Sequence, residues 1–189
     1  QKLCGEAITY GMASVCVPPC YIRRIHDTYG EKLNICTVIG FPLGYSTTAS
    51  KVQEARDAVA DGASEIDMVI NIADVKNGDY QKVEEEIRAI RGACQGKILK
   101  VIIETCYLTE EEKIAMCHAV TNAKADYIKT STGFGTAGAQ LTDIALFKAN
   151  IGPDVKIKAA GGIRTRQAME DFLAAGCDRI GSSSALDIL

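Results

Sequence analysis

Glu65-Ile66-Asp67-Met68-Val69-Ile70-Asn71 carries the alternation that decides the fold. Successive residues of a strand point to opposite sheet faces. Ile66, Met68 and Ile70 therefore share one face, and Glu65, Asp67, Val69 and Asn71 the other. The split recurs along the chain. Leu99, Val101 and Ile103 oppose Lys100, Ile102 and Glu104; Ile128 opposes Tyr127, Lys129 and Ser131; Val155, Ile157 and Ala159 oppose Lys156 and Lys158. An open doubly wound sheet covers both faces with apolar helices, so its strands should be apolar throughout. A barrel turns the apolar face to surrounding helices and the polar face to the centre, with active-site groups at the strands' C-terminal ends. A two-layer sheet with one wet face is the remaining alternative, and parallel sheets are seldom exposed.

Strand-like runs fall at residues 13–17, 34–40, 65–71, 98–104, 126–131, 155–159 and 179–182. Helical patterns at residues 50–60, 80–93, 109–119, 141–150 and 165–175 lie between them. Thr109 and Glu112 have capping-box spacing, and Gly176 sits where a helix C-cap glycine belongs. Strand–helix alternation means parallel strands joined by crossover helices. The expected fold class is α/β, a (β/α)8 TIM barrel. No low-complexity linker divides the 189 residues, so a single domain over 1–189 is expected.

Composition narrows the function. The chain is 47% apolar and 24% charged, and 21 Lys+Arg against 24 Asp+Glu give a net charge of −3. A general nucleic-acid binder needs a basic surface, so nucleic acid is not expected as a partner. No apolar run approaches the ~18 residues of a membrane span. The eight cysteines are scattered through strand-like and helix-like stretches. That usage fits a reducing cytoplasm rather than a disulfide framework. Cys16 and Cys20 lack a second pair or nearby His, so no metal is expected.

In a barrel, Asp67, Lys100, Glu104, Lys129 and Lys158 would face one another. Buried charges are costly unless paired, and an apolar filling is often at least as stable, so such a cluster favours function. Lys129 lies just before a glycine turn. Burial and a second cation, Lys158, are expected to lower its pKa and free the amine to attack a carbonyl. Asp67 is expected to pair with Lys158 and shuttle protons through a water. A surface or structural lysine is the plain alternative.

Gly133-Phe134-Gly135-Thr136-Ala137-Gly138 matches G-x-G-x-x-G, but the acidic residue a dinucleotide site requires at the next strand end is replaced by Lys158-Ala159-Ala160-Gly161-Gly162. Phosphate binding is the better reading. Gly161 and Gly162 precede a helix N-terminus at Thr165, and Gly181-Ser182-Ser183-Ser184 follows the last strand. Arg164 is a candidate helper. His26 and His118 fall in helical stretches and are read as packing or surface residues.

These segments resemble the deoxyribose-phosphate aldolase family. The resemblance rests on the runs 127–134, 158–165, 65–71, 100–105, 38–44 and 13–17, in order, from about Leu3 to Leu189. It implies a class I aldolase without metal or cofactor. The enzyme would reversibly cleave 2-deoxy-D-ribose 5-phosphate to D-glyceraldehyde 3-phosphate and acetaldehyde. Lys129 falls on the Schiff-base lysine, Lys158 on the lysine that tunes it, and Asp67 on the proton relay. Gly133, Gly161, Gly162, Arg164, Gly181, Ser183 and Ser184 fall on phosphate-binding segments. Cys16 falls on a cysteine near the substrate and is given no catalytic role. The only expected partners are a small phosphorylated sugar or aldehyde substrate and, in a homo-oligomer, further copies of the chain. Pro18 stands where the family commonly has Asn. Relative to the family pattern, the barrel is expected to lack its first strand and its C-terminal tail. Another phosphate-binding barrel enzyme, a nucleotide-binding module and a catalytically dead binding homologue are the competing functions.

Overall fold

The computed structural model describes residues 1–188; Leu189, the last residue of the expected domain, lies outside them. The seven expected strands all form, six of them shorter and the sixth displaced by one residue at equal length: β1 (Val15–Val17), β2 (Ile35–Ile39), β3 (Glu65–Val69), β4 (Ile98–Ile102), β5 (Tyr127–Lys129), β6 (Lys156–Ala160) and β7 (Arg179–Gly181). They run parallel in the order of the sequence. The helices are α1 (Lys2–Thr9), α2 (Ile22–Tyr29), α3 (Thr48–Ala60), α4 (Ile72–Lys76), α5 (Tyr80–Ala93), α6 (Glu110–Asn122), α7 (Leu141–Asn150), α8 (Arg166–Ala175) and α9 (Ala185–Ile188). None is long and apolar enough to cross a membrane.

The helix boundaries have local causes. Thr47 caps α3 by accepting the Ser50 amide. The Thr109–Glu112 capping box forms at α6, and Gly176 ends α8 in the left-handed region. Three elements had no clear sequence signature. α1 precedes the first strand-like run, α4 spans only Ile72–Lys76, and α9 only Ala185–Ile188.

The sheet is strongly curled. Arg179 on β7 donates to both carboxylate oxygens of Glu65 on β3, at 2.8 Å each. Four strand spacings of about 4.8 Å would separate those strands by roughly 19 Å in a flat sheet, beyond an arginine's reach. The fold is thus a curled half-barrel of seven parallel strands, and closure into the expected eight-stranded barrel is not formed by the described residues. The strand faces divide as expected. Ile66, Met68, Ile70, Leu99, Val101, Ile103, Ile128, Ile157 and Ala159 join the apolar core beneath the helices, while Glu65, Asp67, Lys100, Lys129 and Lys158 are buried on the inner side.

Candidate active site

Strand register brings the charged residues together. Asp67 on β3 lies beside Lys100 on β4, and Lys129 on β5 beside Lys158 on β6. The Lys129 ammonium donates to Asp67 Oδ2 at 2.7 Å, and Lys158 donates to the same oxygen at 3.1 Å. Lys100 donates to Asp67 Oδ1 at 2.8 Å and to Glu65 Oε2 at 2.6 Å. Asp67 and Lys100 are fully buried, whereas Lys129 and Lys158 keep 6% exposure each. The two lysines expected to act are therefore the ones nearest the opening.

Burial alone would push the Asp67 carboxyl up, but the charges of Lys129, Lys158 and Lys100 outweigh it and hold the group well below the carboxylate range. Glu65 behaves likewise, with burial overcome by Lys100 and Arg179. Lys129 corrects an expectation. Burial does pull its ammonium down, but the charge and hydrogen bond of Asp67 prevail, and its pKa is raised rather than lowered. The resting amine is protonated. A cationic neighbour cannot neutralise Lys129 while both lysines share one carboxylate oxygen.

Glu104, the other expected inner charge, stands apart from this cluster. Its backbone is left-handed at φ 51°, and its carboxylate accepts from the Thr132 amide and hydroxyl. That contact ties the β4 end to the turn after Lys129. Ser131 Oγ is buried without a partner among the described residues.

The glycine segments converge at the same strand ends. A Cβ on Gly161 would lie 3.3 Å from Ser131 Cβ and 3.6 Å from Gly133 Cα, and one on Gly138 would lie 2.2 Å from the Gly161 carbonyl oxygen. Both Gly161 and Gly162 have positive φ. Ser182 Oγ donates to the Ile163 carbonyl and accepts from the Ser184 amide, joining the turn after β7 to the turn after β6. Gly181, Ser183 and Ser184 thus lie beside Gly161 and Gly162, and Ser183 is exposed. Arg164 is exposed too, and no hydrogen bond or ion pair among the described residues fixes it there. α7 begins only at Leu141, while the Ala139 amide bonds the Gly161 carbonyl. That is not the direct strand–glycine turn–helix junction of a dinucleotide site.

Reading by sequence missed three participants. Arg179 anchors Glu65 from across the curl, and Ser14 donates to the same carboxylate at 3.0 Å. Cys36 donates to Asp67 Oδ1 at 3.2 Å. Face parity on β7, where Arg179 alternates with Ile180, and on β2 would have found Arg179 and Cys36. Cys16, Cys36 and Asp67 also hold their donor atoms within 4.8 Å of one another. Metal binding there is opposed by Lys100, whose ammonium is 3.4 Å from Cys36 Sγ, and by the lysines already on Asp67. His26 packs against Gly62, and His118 is exposed on α6.

A curled parallel sheet that aims lysines at one buried carboxylate, with glycine turns beside it, has the architecture of a barrel aldolase. The chain belongs to the DeoC/LacD family of aldolases, whose profile matches residues 1–186. A protein of Clostridium botulinum (strain Alaska E43 / Type E3) named deoxyribose-phosphate aldolase is 66% identical over 189 residues, covering 100% of this chain and 86% of that protein. Among solved structures, "QR15, an Aldolase" superposes with a TM-score of 0.94 at 40% identity, covering 99% of this chain and 84% of its own. The deoxyribose phosphate aldolase of Aeropyrum pernix, described as tetrameric, superposes at 0.91 with 30% identity, covering 99% and 80%. The chain is an enzyme of the aldolase class.

Proposed function

We propose that the protein cleaves 2-deoxy-D-ribose 5-phosphate, reversibly, to D-glyceraldehyde 3-phosphate and acetaldehyde through a Schiff base on Lys129. The observation that carries this reading is the pair of ammonium groups, Lys129 and Lys158, on one oxygen of Asp67 at 2.7 and 3.1 Å.

A shared counter-ion offers a way to free the nucleophile. When Asp67 shifts fully to Lys158, Lys129 loses the charge that holds its proton, and burial then favours the neutral amine. The amine adds to the aldehyde carbon and water leaves, giving an iminium. The iminium draws electrons from the C2–C3 bond as the C3 hydroxyl gives its proton, through a water, to the Asp67–Lys158 pair. Glyceraldehyde 3-phosphate departs, and an enamine remains on Lys129. Lys158 and Asp67, acting through a water, return a proton to the enamine carbon. Hydrolysis of the imine releases acetaldehyde and restores the lysine.

Gly133, Gly161, Gly162, Gly181, Ser183 and Ser184 supply amides and hydroxyls for the phosphate, with Arg164 swinging in from solvent. Remote phosphate binding positions the reacting carbon, an effect that reaches several kcal/mol in such systems. No step calls for a metal or cofactor. The eight free cysteines favour a reducing, cytoplasmic setting, and a homo-oligomer is expected from the tetrameric Aeropyrum pernix relative.

The test is chemical trapping. Acetaldehyde with borohydride should add one ethyl group to Lys129, read by peptide mass. Lys129→Ala should abolish turnover while leaving phosphate-ligand binding measurable. Labelling of another lysine, or none on the folded protein, overturns the proposal.

A further inference from the structure

Two cysteine sulfurs lie beside Asp67, and the carbon–carbon chemistry uses neither. Cys16 on β1 and Cys36 on β2 are direct register partners on adjacent parallel strands. Paired residues stand on the same sheet face, and these two sulfurs lie within 4.8 Å of each other. Adjacent strands run about 4.8 Å apart, inside the ~4.4–6.8 Å Cα separation a disulfide tolerates. Side-chain rotation can bring the sulfurs together without moving the sheet.

The two thiols differ as an attacking and a resolving pair should. Cys16 is exposed and Cys36 buried. The Cys36 thiol beside it is the main influence drawing Cys16 down to about 7, and Lys129 and Lys158 add to this against burial and Asp67. Cys16 and burial together push Cys36 well above the ordinary thiol range. Peroxides react with thiolates, and an accessible low-pKa cysteine next to a second thiol is the arrangement that yields a disulfide rather than over-oxidation.

We propose that Cys16 and Cys36 are a modification site for hydroperoxides, forming a reversible disulfide inside the curl that shuts down the aldolase. The Cys16 thiolate attacks a peroxide oxygen. The O–O bond breaks, and the departing hydroxide takes a proton to become water (an alcohol from an organic hydroperoxide), leaving Cys16 sulfenic acid. The Cys36 sulfur then attacks the Cys16 sulfur. The S–O bond breaks, and hydroxide leaves with the Cys36 proton as a second water. The peroxide gains two electrons and the thiols lose them; a dithiol reductant returns them. The new bond removes the Cys36 S–H that donates to Asp67 Oδ1 and displaces the sulfur that meets Lys100. Bond formation is independent of the Schiff-base reading, and only the loss of turnover rests on it.

The purified chain is treated with limiting hydrogen peroxide, alkylated, and digested without reduction. The expected result is a Cys16–Cys36 linked peptide that appears before other cysteines oxidise. Turnover should fall at least about tenfold, and dithiothreitol should restore both. In Cys36→Ser, peroxide should leave Cys16 as a dimedone-reactive sulfenic acid with no linked peptide. A pair still reduced after the other cysteines have oxidised overturns the inference. So does a Cys16–Cys20 link in its place, or full linkage with unchanged turnover. Stoichiometric zinc binding lost in Cys36→Ser, without peroxide linkage, would show a metal site instead. If the untreated protein shows no aldolase turnover, the linked peptide alone decides the matter.

Discussion

Asp67 accepts from lysines on three different strands, so its charge sets the state of each. Asp67→Asn removes the group that holds Lys129 protonated. The pH at which borohydride trapping reaches half its maximum should then move down, because the main charge opposing burial and the remaining ammonium groups is gone. Turnover should nevertheless fall by roughly 10²–10⁴, the usual contribution of a positioned proton-transfer group. Trapping that keeps its pH dependence in this variant would mean that Asp67 does not control Lys129. Much of this was readable beforehand, because face parity in single strands is enough to put Asp67, Lys129 and Lys158 on one side. The protonation state of Lys129 was not readable. It depends on which carboxylate oxygen two distant lysines share, and that is settled by register between strands.

At the level of elements, the turns after β5 and β6 meet so closely that Gly138 has no room for a side chain. A Cβ there would stand 2.2 Å from the Gly161 carbonyl oxygen. Gly138→Ala should push these turns apart and raise KM for the phosphorylated substrate about tenfold, equivalent to about 1.4 kcal/mol. Borohydride trapping of acetaldehyde, which has no phosphate, should be little changed. Thr109→Ala removes half the α6 capping box and should cost about 1 kcal/mol by chemical denaturation. That box was legible because it is written within four residues. The shortened strand ends were less so. Glu104 turns left-handed and Asn71 caps α4, so residues that continue the strand alternation leave the ladder to form the site's rim.

For the molecule as a whole, Glu65 and Asp67 tie β3 to β4, β5, β6 and β7. Both carboxyls are depressed in the folded state, so the folded form binds fewer protons than the unfolded chain. Their stabilisation is complete above the ordinary carboxylate range near pH ~4 and is lost as pH falls through the depressed folded values. Denaturant midpoints followed downward from neutral pH should drop in this window, and Glu65→Gln should flatten the drop at a lower starting stability. Breaking one partner of such a buried network costs roughly 3–5 kcal/mol. The curl itself was only partly foreseeable. Strand order follows from strand–helix alternation, but the reach of Arg179 to Glu65 is a long-range contact with no local sequence signal.

The nitrogens that converge on Asp67 come from positions 100, 129 and 158. On the proposed mechanism, reactivity is consequently a property of the completed sheet. If Lys129 is the nucleophile as proposed, a polypeptide emerging from synthesis would expose it before its companion cation had been made, and it would have only an ordinary lysine's slow reactivity towards aldehydes until the sixth strand docked.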